Sequence, residues 1–155
     1  MADETESKPK LVAVSDSLRE VHRALVGAAR AEYEKESGPA GGPGQMLKLL
    51  TEHPSFAWLH TMSELIVDLD SLLAQELIPA GTVSAVRKEI DHLTQASDSP
   101  FWAKYGPLLQ SEPPVVMAHG HLRRALNALP ESKAPAHERK KWVTPRVHVP
   151  KGSRH

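Results

Sequence analysis

The sequence predicts an all-α fold, an antiparallel bundle of about four main helices with one short kinked helix. Apolar residues recur at three- and four-residue spacing in several long stretches, which is the spacing of one helix face. Those stretches contain no run of alternating apolar and polar residues, so we expect no strands within them. We divide the chain into a flexible acidic start (residues 1–14), a helical domain (15–130) and an extended basic tail (131–155).

The first helix is predicted over residues 17–35. Ser17 followed by Glu20 is a capping-box pattern, in which each side chain satisfies an unpaired amide of the first turn. One apolar stripe follows at helical spacing: Leu18, Val21, Leu25 and Ala28. The glycine- and proline-rich residues 37–44 end this helix, and we interpret them as a flexible connector.

The second helix is predicted to be the central one. A short helical piece, residues 45–52, precedes His53 and Pro54, and proline is favoured in the first turn of a helix. The helix then extends to Leu77 with a broad apolar face, which indicates contact with neighbours on more than one side. That face consists of Trp58, Leu59, Met62, Leu65, Ile66, Leu69, Leu72 and Leu73.

Three further helices are predicted after the break at Pro79. The third, residues 82–96, begins with Thr82 as its N-cap. The fourth begins at Pro100, is rich in aromatic residues, and should be kinked or interrupted at Pro107. The last follows the proline pair at 113–114 and runs to Leu129. These helices complete the bundle.

The composition excludes several classes of protein. The chain has no cysteine, which removes disulfides, thiolate nucleophiles and cysteine-bound metals. The N-terminal residues lack the apolar region of a secretory signal, and charged residues interrupt every long apolar stretch, so we expect no membrane span. A cytoplasmic location is therefore expected. A formal net charge of zero predicts no general attraction to nucleic acid.

The charge is unevenly distributed, and this points to a partner. From residue 131 onward, seven Lys and Arg side chains stand against two Glu side chains, a formal charge of about +5 that the rest of the chain balances. We predict that basic and aromatic side chains contact a partner: Arg123, Arg124, Arg139, Lys140, Lys141 and Trp142. A protein is the expected partner, and a nucleic acid that binds the tail is the alternative.

Nine histidines raise the question of a metal site. His60 and Glu64 are four residues apart, but both project opposite Met62, as Asp68 does, and so onto the solvent side of the second helix. His22 and His119 instead lie at the edges of apolar faces. We expect them to be partly buried and hydrogen-bonded, or else to approach each other with Tyr33 or Glu32 in a small pocket.

Catalytic motifs are absent from the sequence. Ser63 lies one turn from His60 without the elbow motif of a nucleophile, and Asp68 and Asp70 diverge around their helix. We therefore expect a non-enzymatic interaction protein without a cofactor. The alternative is a helical bundle that binds a metal or small molecule through His22 and His119, with His60 and Glu64 added if the helical phase is shifted.

Overall fold

The computed structural model describes residues 4–131, with side chains from Ser7 onward, and this part of the chain is helical without strands. The all-α prediction is confirmed. None of the helices over residues 4–131 is both long and apolar enough to cross a membrane. The elements are α1 (Glu4–Ser37), α2 (Pro43–Glu52), a 3₁₀ helix (Pro54–Leu59), α3 (His60–Leu73), α4 (Ala80–Leu93), α5 (Pro100–Ser111) and α6 (Pro113–Asn127).

Helix α1 begins well before the predicted start at Ser17. Leu11 and Val14 are fully buried and continue the predicted stripe toward the N-terminus at the same seven-residue repeat. Pro9 lies inside this helix. The expected flexible segment therefore contributes to the core from at least Leu11, and the boundary at residue 15 is too late. The capping-box pattern of Ser17 and Glu20 concealed this, because it placed the helix start after the apolar residues 11–14.

Helix α1 packs most extensively against α6 and next against α3. Lys8 Nζ donates to the carbonyl of Gln75 over 2.7 Å, and His22 Nε2 lies 2.8 Å from Ser63 Oγ. Residue numbers rise along α1 and fall along α3 in these pairs, so the two helices run in opposite directions. The long first helix thus joins elements from the middle and the end of the domain.

The predicted second helix is divided in two. The 3₁₀ helix carries Phe56 and Trp58, and the α-helical part begins only at His60 and ends at Leu73. The apolar face of α3 is buried as predicted, with Met62 and Leu69 fully enclosed. One residue departs from the prediction: Asp68, placed on the solvent face by the projection, is only 8% exposed.

The connector between α1 and α2 is tied to α1. Gly38 and Gly41 adopt left-handed backbone angles, with φ of 83° and 92°, which favour glycine. The N–H of Ala40 donates to a carboxylate oxygen of Glu34 over 2.8 Å, and Arg30 donates to the same carboxylate. The bond from Ala40 and the guanidinium of Arg30 lower the pKa of Glu34. These contacts hold the connector against the last turns of α1.

Helix α5 continues through Pro107, where a kink or an interruption was predicted, so the helix is not interrupted there. Pro107 lies inside Pro100–Ser111 and has no N–H to donate to the carbonyl of Ala103, four residues earlier. Gly106 is buried, and a Cβ at this position would lie 2.9 Å from the indole ring of Trp102. A glycine at 106 therefore allows Trp102 to pack against its own helix.

Candidate functional site

A surface cleft of about 320 Å³ lies where the C-terminal half of α1, the 3₁₀ helix and α5 meet. Its walls differ in chemistry, with carboxylates on α1, an indole ring on the 3₁₀ helix, and both apolar and basic groups on α5. The lining residues are Ala28, Ala29, Glu32, Glu36, Ser55, Trp58, Ala103, Lys104, Pro107 and Leu108.

The α1 wall carries two carboxylates one helical turn apart, Glu32 and Glu36. Both are exposed, and neither forms an ion pair or hydrogen bond with another of the described residues. Like charges at this spacing destabilise a helix by about 0.2–0.5 kcal/mol. Lys104 on the α5 wall supplies one positive charge, so the lining has a formal charge of −1.

The α5 wall adds a backbone acceptor to the cleft. Ala103 and Pro107 both line it, and Pro107 cannot donate the hydrogen bond that a helix normally directs at the Ala103 carbonyl. That carbonyl therefore lacks its usual helical donor.

The third wall is aromatic. Trp58 is half-buried, and its ring centroid lies 5.6 Å from that of Phe101, which is buried beneath it. The sequence analysis placed Trp58 on the apolar face of the second helix. In the structure the ring packs on the core and also lines the cleft with Pro107 and Leu108.

Of the residues predicted to contact a partner, the two that the structure describes, Arg123 and Arg124, do not line this cleft. Arg123 forms an ion pair with Asp91 on α4, which also lies 3.6 Å from Arg87. Arg124 is exposed on α6. The remaining predicted residues lie outside the described part of the chain: Arg139, Lys140, Lys141 and Trp142.

His22 and His119 are both partly buried, as predicted, but each has its own partner. His22 bonds to Ser63 on α3, and burial together with Arg19 lowers its pKa. His119 Nδ1 lies 2.6 Å from the hydroxyl of Tyr105 on α5, and burial together with Arg123 lowers the pKa of His119. These bonds do not bring the two histidines into the predicted shared pocket, because His22 bonds to α3 and His119 bonds to α5.

The other proposed metal ligands, His60 and Glu64, are both exposed. His60 Nε2 lies 2.9 Å from the carbonyl of Leu50. Within residues 7–131, no three His, Asp or Glu side chains are grouped so that they could hold a metal ion. The sequence analysis missed a contact of His121, which lies 3.0 Å from Glu20 and joins α6 to α1.

His22 Nε2 lies 2.8 Å from Ser63 Oγ, which is the length of the bond in a serine–histidine catalytic pair. Ser63 Oγ also lies 3.2 Å from the carbonyl of Leu59 in the preceding helical turn, the local bond that a serine often makes inside a helix. Spacing along the sequence relates Ser63 to His60 instead, because His22 is 41 residues away along the chain.

No family model, curated protein or solved structure matches this chain. The class is therefore defined by the fold and the cleft: a small helical protein with an acidic and aromatic surface cleft. The clearest sequence signal for the cleft was the pair of glutamates four residues apart near the end of α1. A second signal was the proline within a predicted helix, which leaves a carbonyl without its usual donor.

Proposed function

We propose that this chain is a non-enzymatic interaction protein that binds another protein through the cleft between α1, the 3₁₀ helix and α5. The observation that supports the proposal is the placement of Glu32 and Glu36 opposite a half-buried tryptophan. Carboxylates attract a basic side chain, and an aromatic face stabilises a cation above it by about 0.5–2 kcal/mol. The cleft therefore suits a Lys or Arg side chain.

The expected partner segment carries a basic residue next to an aromatic or aliphatic one. An arginine has five N–H donors in a planar group. One guanidinium could therefore bond to both carboxylates at once, or to one carboxylate and the Ala103 carbonyl. The neighbouring apolar residue would pack on Trp58 and Leu108. A volume of about 320 Å³ is at the lower end of the range for small-molecule pockets and accommodates only a short side-chain pair.

We also propose that the protein is cytoplasmic and that its main helices form an antiparallel bundle. The exposed Arg124 and the basic tail are a second proposed contact with the same partner. A nucleic acid at the tail and a metal or small molecule at His22 and His119 are the alternatives.

Selection from a displayed random peptide library, with the full chain as bait, tests the proposal. We expect enrichment of peptides that have Lys or Arg beside an aromatic or aliphatic residue. The variant Glu32→Gln/Glu36→Gln should bind these peptides at least tenfold more weakly, measured by fluorescence anisotropy at low salt. The control Asp16→Asn/Glu64→Gln neutralises two carboxylates that are exposed elsewhere on α1 and α3 and should bind normally. Equal binding by both double variants, or no enrichment, would overturn the proposal.

A further inference from the structure

We propose that the chain's own residues 139–142, Arg-Lys-Lys-Trp, occupy this cleft in the free protein and compete with the partner. The inference rests on the proposed function in one respect, namely that the cleft selects basic and aromatic segments. It adds that the protein carries such a segment itself. The cleft would then be available to a partner only when the tail is displaced.

The charges of the two parts of the chain are complementary. Residues 4–131 contain twelve Lys and Arg against seventeen Asp and Glu, which leaves a formal charge of −5. Residues 132–155 contain seven Lys and Arg against one Glu, which leaves +6. Opposite net charges on a folded part and a linked segment raise the frequency of contact between them. Within the folded part, the cleft places two carboxylates without a described ionic partner beside each other.

The side chains of residues 139–142 match the walls of the cleft. Arg139, Lys140 and Lys141 supply cations for Glu32 and Glu36. The indole of Trp142 follows directly and provides a large apolar surface for the Trp58 side of the cleft. In the part of the chain beyond residue 131, these four residues are the only place where consecutive basic residues adjoin an aromatic one.

The segment is long enough to reach the cleft. Arg87 on α4 holds the end of α6, since it donates to the carbonyl of Leu129 over 2.6 Å and lies 3.5 Å from Glu131. The bond between Tyr105 and His119 places these two residues at the same height along the neighbouring helices α5 and α6, and Lys104 is next to Tyr105. The eight residues of helix from His119 to Asn127 span about 12 Å.

Two helix spacings of about 8–10 Å each add a lateral distance at right angles, and the four residues from Asn127 to Glu131 add about 6 Å along the axis. The separation from Glu131 to the cleft is therefore roughly 25 Å. Eight extended residues, from Glu131 to Arg139, span about 26 Å. The tail therefore reaches the cleft within its own length, and an intramolecular site has a high effective concentration.

A cross-linking experiment on the full chain tests the inference. Because the chain has no native cysteine, only the introduced thiols react with the cross-linker. Ser55→Cys places a thiol at the rim of the cleft, and Val143→Cys places one beside Trp142, without removing a charge from either. A short bis-maleimide should join the two within one molecule. The matched control is the same cysteine pair with Glu32→Gln/Glu36→Gln, in which the yield of the intramolecular product should fall severalfold. High salt should have the same effect, because it screens the contact.

An intramolecular yield that is the same with and without the two carboxylates would overturn the inference. So would a product that consists only of cross-linked dimers, which would assign the cleft to a second copy.

A second measurement separates the inference from the proposed function. The full chain with Arg139→Gln/Lys140→Gln/Lys141→Gln should bind the selected peptides more tightly, because the cleft is no longer occupied by the tail. If this variant binds them as the unmodified chain does, the inference fails and the proposed function stands. If the tail cross-links but no peptide is selected by either chain, the proposed function fails.

Discussion

The hydroxyl of Tyr105 lies 2.6 Å from Nδ1 of His119, which joins the buried side of α5 to α6. Burial raises the pKa of the Tyr105 phenol, so the hydroxyl keeps its proton, and burial together with Arg123 lowers the pKa of His119, which favours the neutral imidazole. The same bond sets the position of α5 along its axis relative to α6. Because α5 forms one wall of the cleft, the bond also positions that wall.

Tyr105→Phe should destabilise the domain by about 1 kcal/mol, because it removes this bond and leaves Nδ1 of a half-buried imidazole without its partner. The free energy of unfolding in urea measures the effect. Tyr33→Phe is the matched control, since Tyr33 is half-buried and its hydroxyl has no hydrogen bond to another described residue. An equal loss in both variants would show that the bond to His119 contributes nothing.

Stability should fall as the pH drops below about 6.5, the ordinary pKa of histidine. Burial lowers the pKa of both His22 and His119 in the folded state, so the unfolded chain takes up protons that the folded chain does not. Their contribution is complete above about pH 6.5 and is lost as the pH falls through the folded pKa values.

The free energy of unfolding measured at several pH values between about 7.5 and 5 checks this prediction. The variant His22→Gln/His119→Gln should show a flatter dependence, because glutamine keeps hydrogen-bonding groups without titrating. Thr61→Gln, at an exposed position of α3, is the control and should keep the original slope. A double variant with that same slope would contradict the assignment to these two histidines.

Gly106→Ala should destabilise the domain by about 1–3 kcal/mol, because the added methyl group would meet the ring of Trp102 at 2.9 Å. Gly120→Ala makes the same change on α6 where nothing lies within 4 Å of the new carbon. That variant should be more stable by about 0.5–1 kcal/mol, since alanine favours a helix over glycine. Thermal unfolding of the two variants should shift in opposite directions, and a shift in the same direction would argue against the packing at Trp102.

Leu11→Ala should destabilise the domain by about 2–5 kcal/mol, because Leu11 is fully buried in a segment that the sequence analysis assigned to a flexible start. Val12 is the matched control, since it is the next residue and is 43% exposed. Val12→Ala should change the free energy of unfolding by less than about 0.5 kcal/mol. If Leu11→Ala is equally mild, the first part of α1 does not contribute to the core.

The sequence predicted the helical class and most core positions because apolar spacing is a local property. The buried face of α3 followed from it directly, for example Met62 and Leu69. The start of α1 did not, since Ser17 and Glu20 form a capping pattern that an interior segment of a helix can also contain by chance. Asp68 was placed on the solvent side by projection, which describes a single helix and not the neighbours that cover it.

The site was less predictable, because its geometry depends on residues that are distant in sequence. The bond from His22 to Ser63 spans 41 positions, and the pair of His121 and Glu20 spans 101. Periodicity indicates that a side chain is near a neighbouring helix but does not identify its partner. Trp58 illustrates the same limit, since only the positions of α1 and α5 decide that a core aromatic residue also lines a cleft.

Lys104→Glu should strengthen binding of the selected basic peptides. Lys104 is the one positive side chain among the residues that line the cleft, and its reversal changes the formal charge of the lining from −1 to −3. The gain should be greatest at low salt and should shrink toward 1 M salt, where the screening length is about 3 Å. Arg23→Glu is the control, since it makes the same change at an exposed position of α1 outside the cleft. An equal gain in both variants would mean that the overall charge of the domain, rather than the cleft, attracts the peptide.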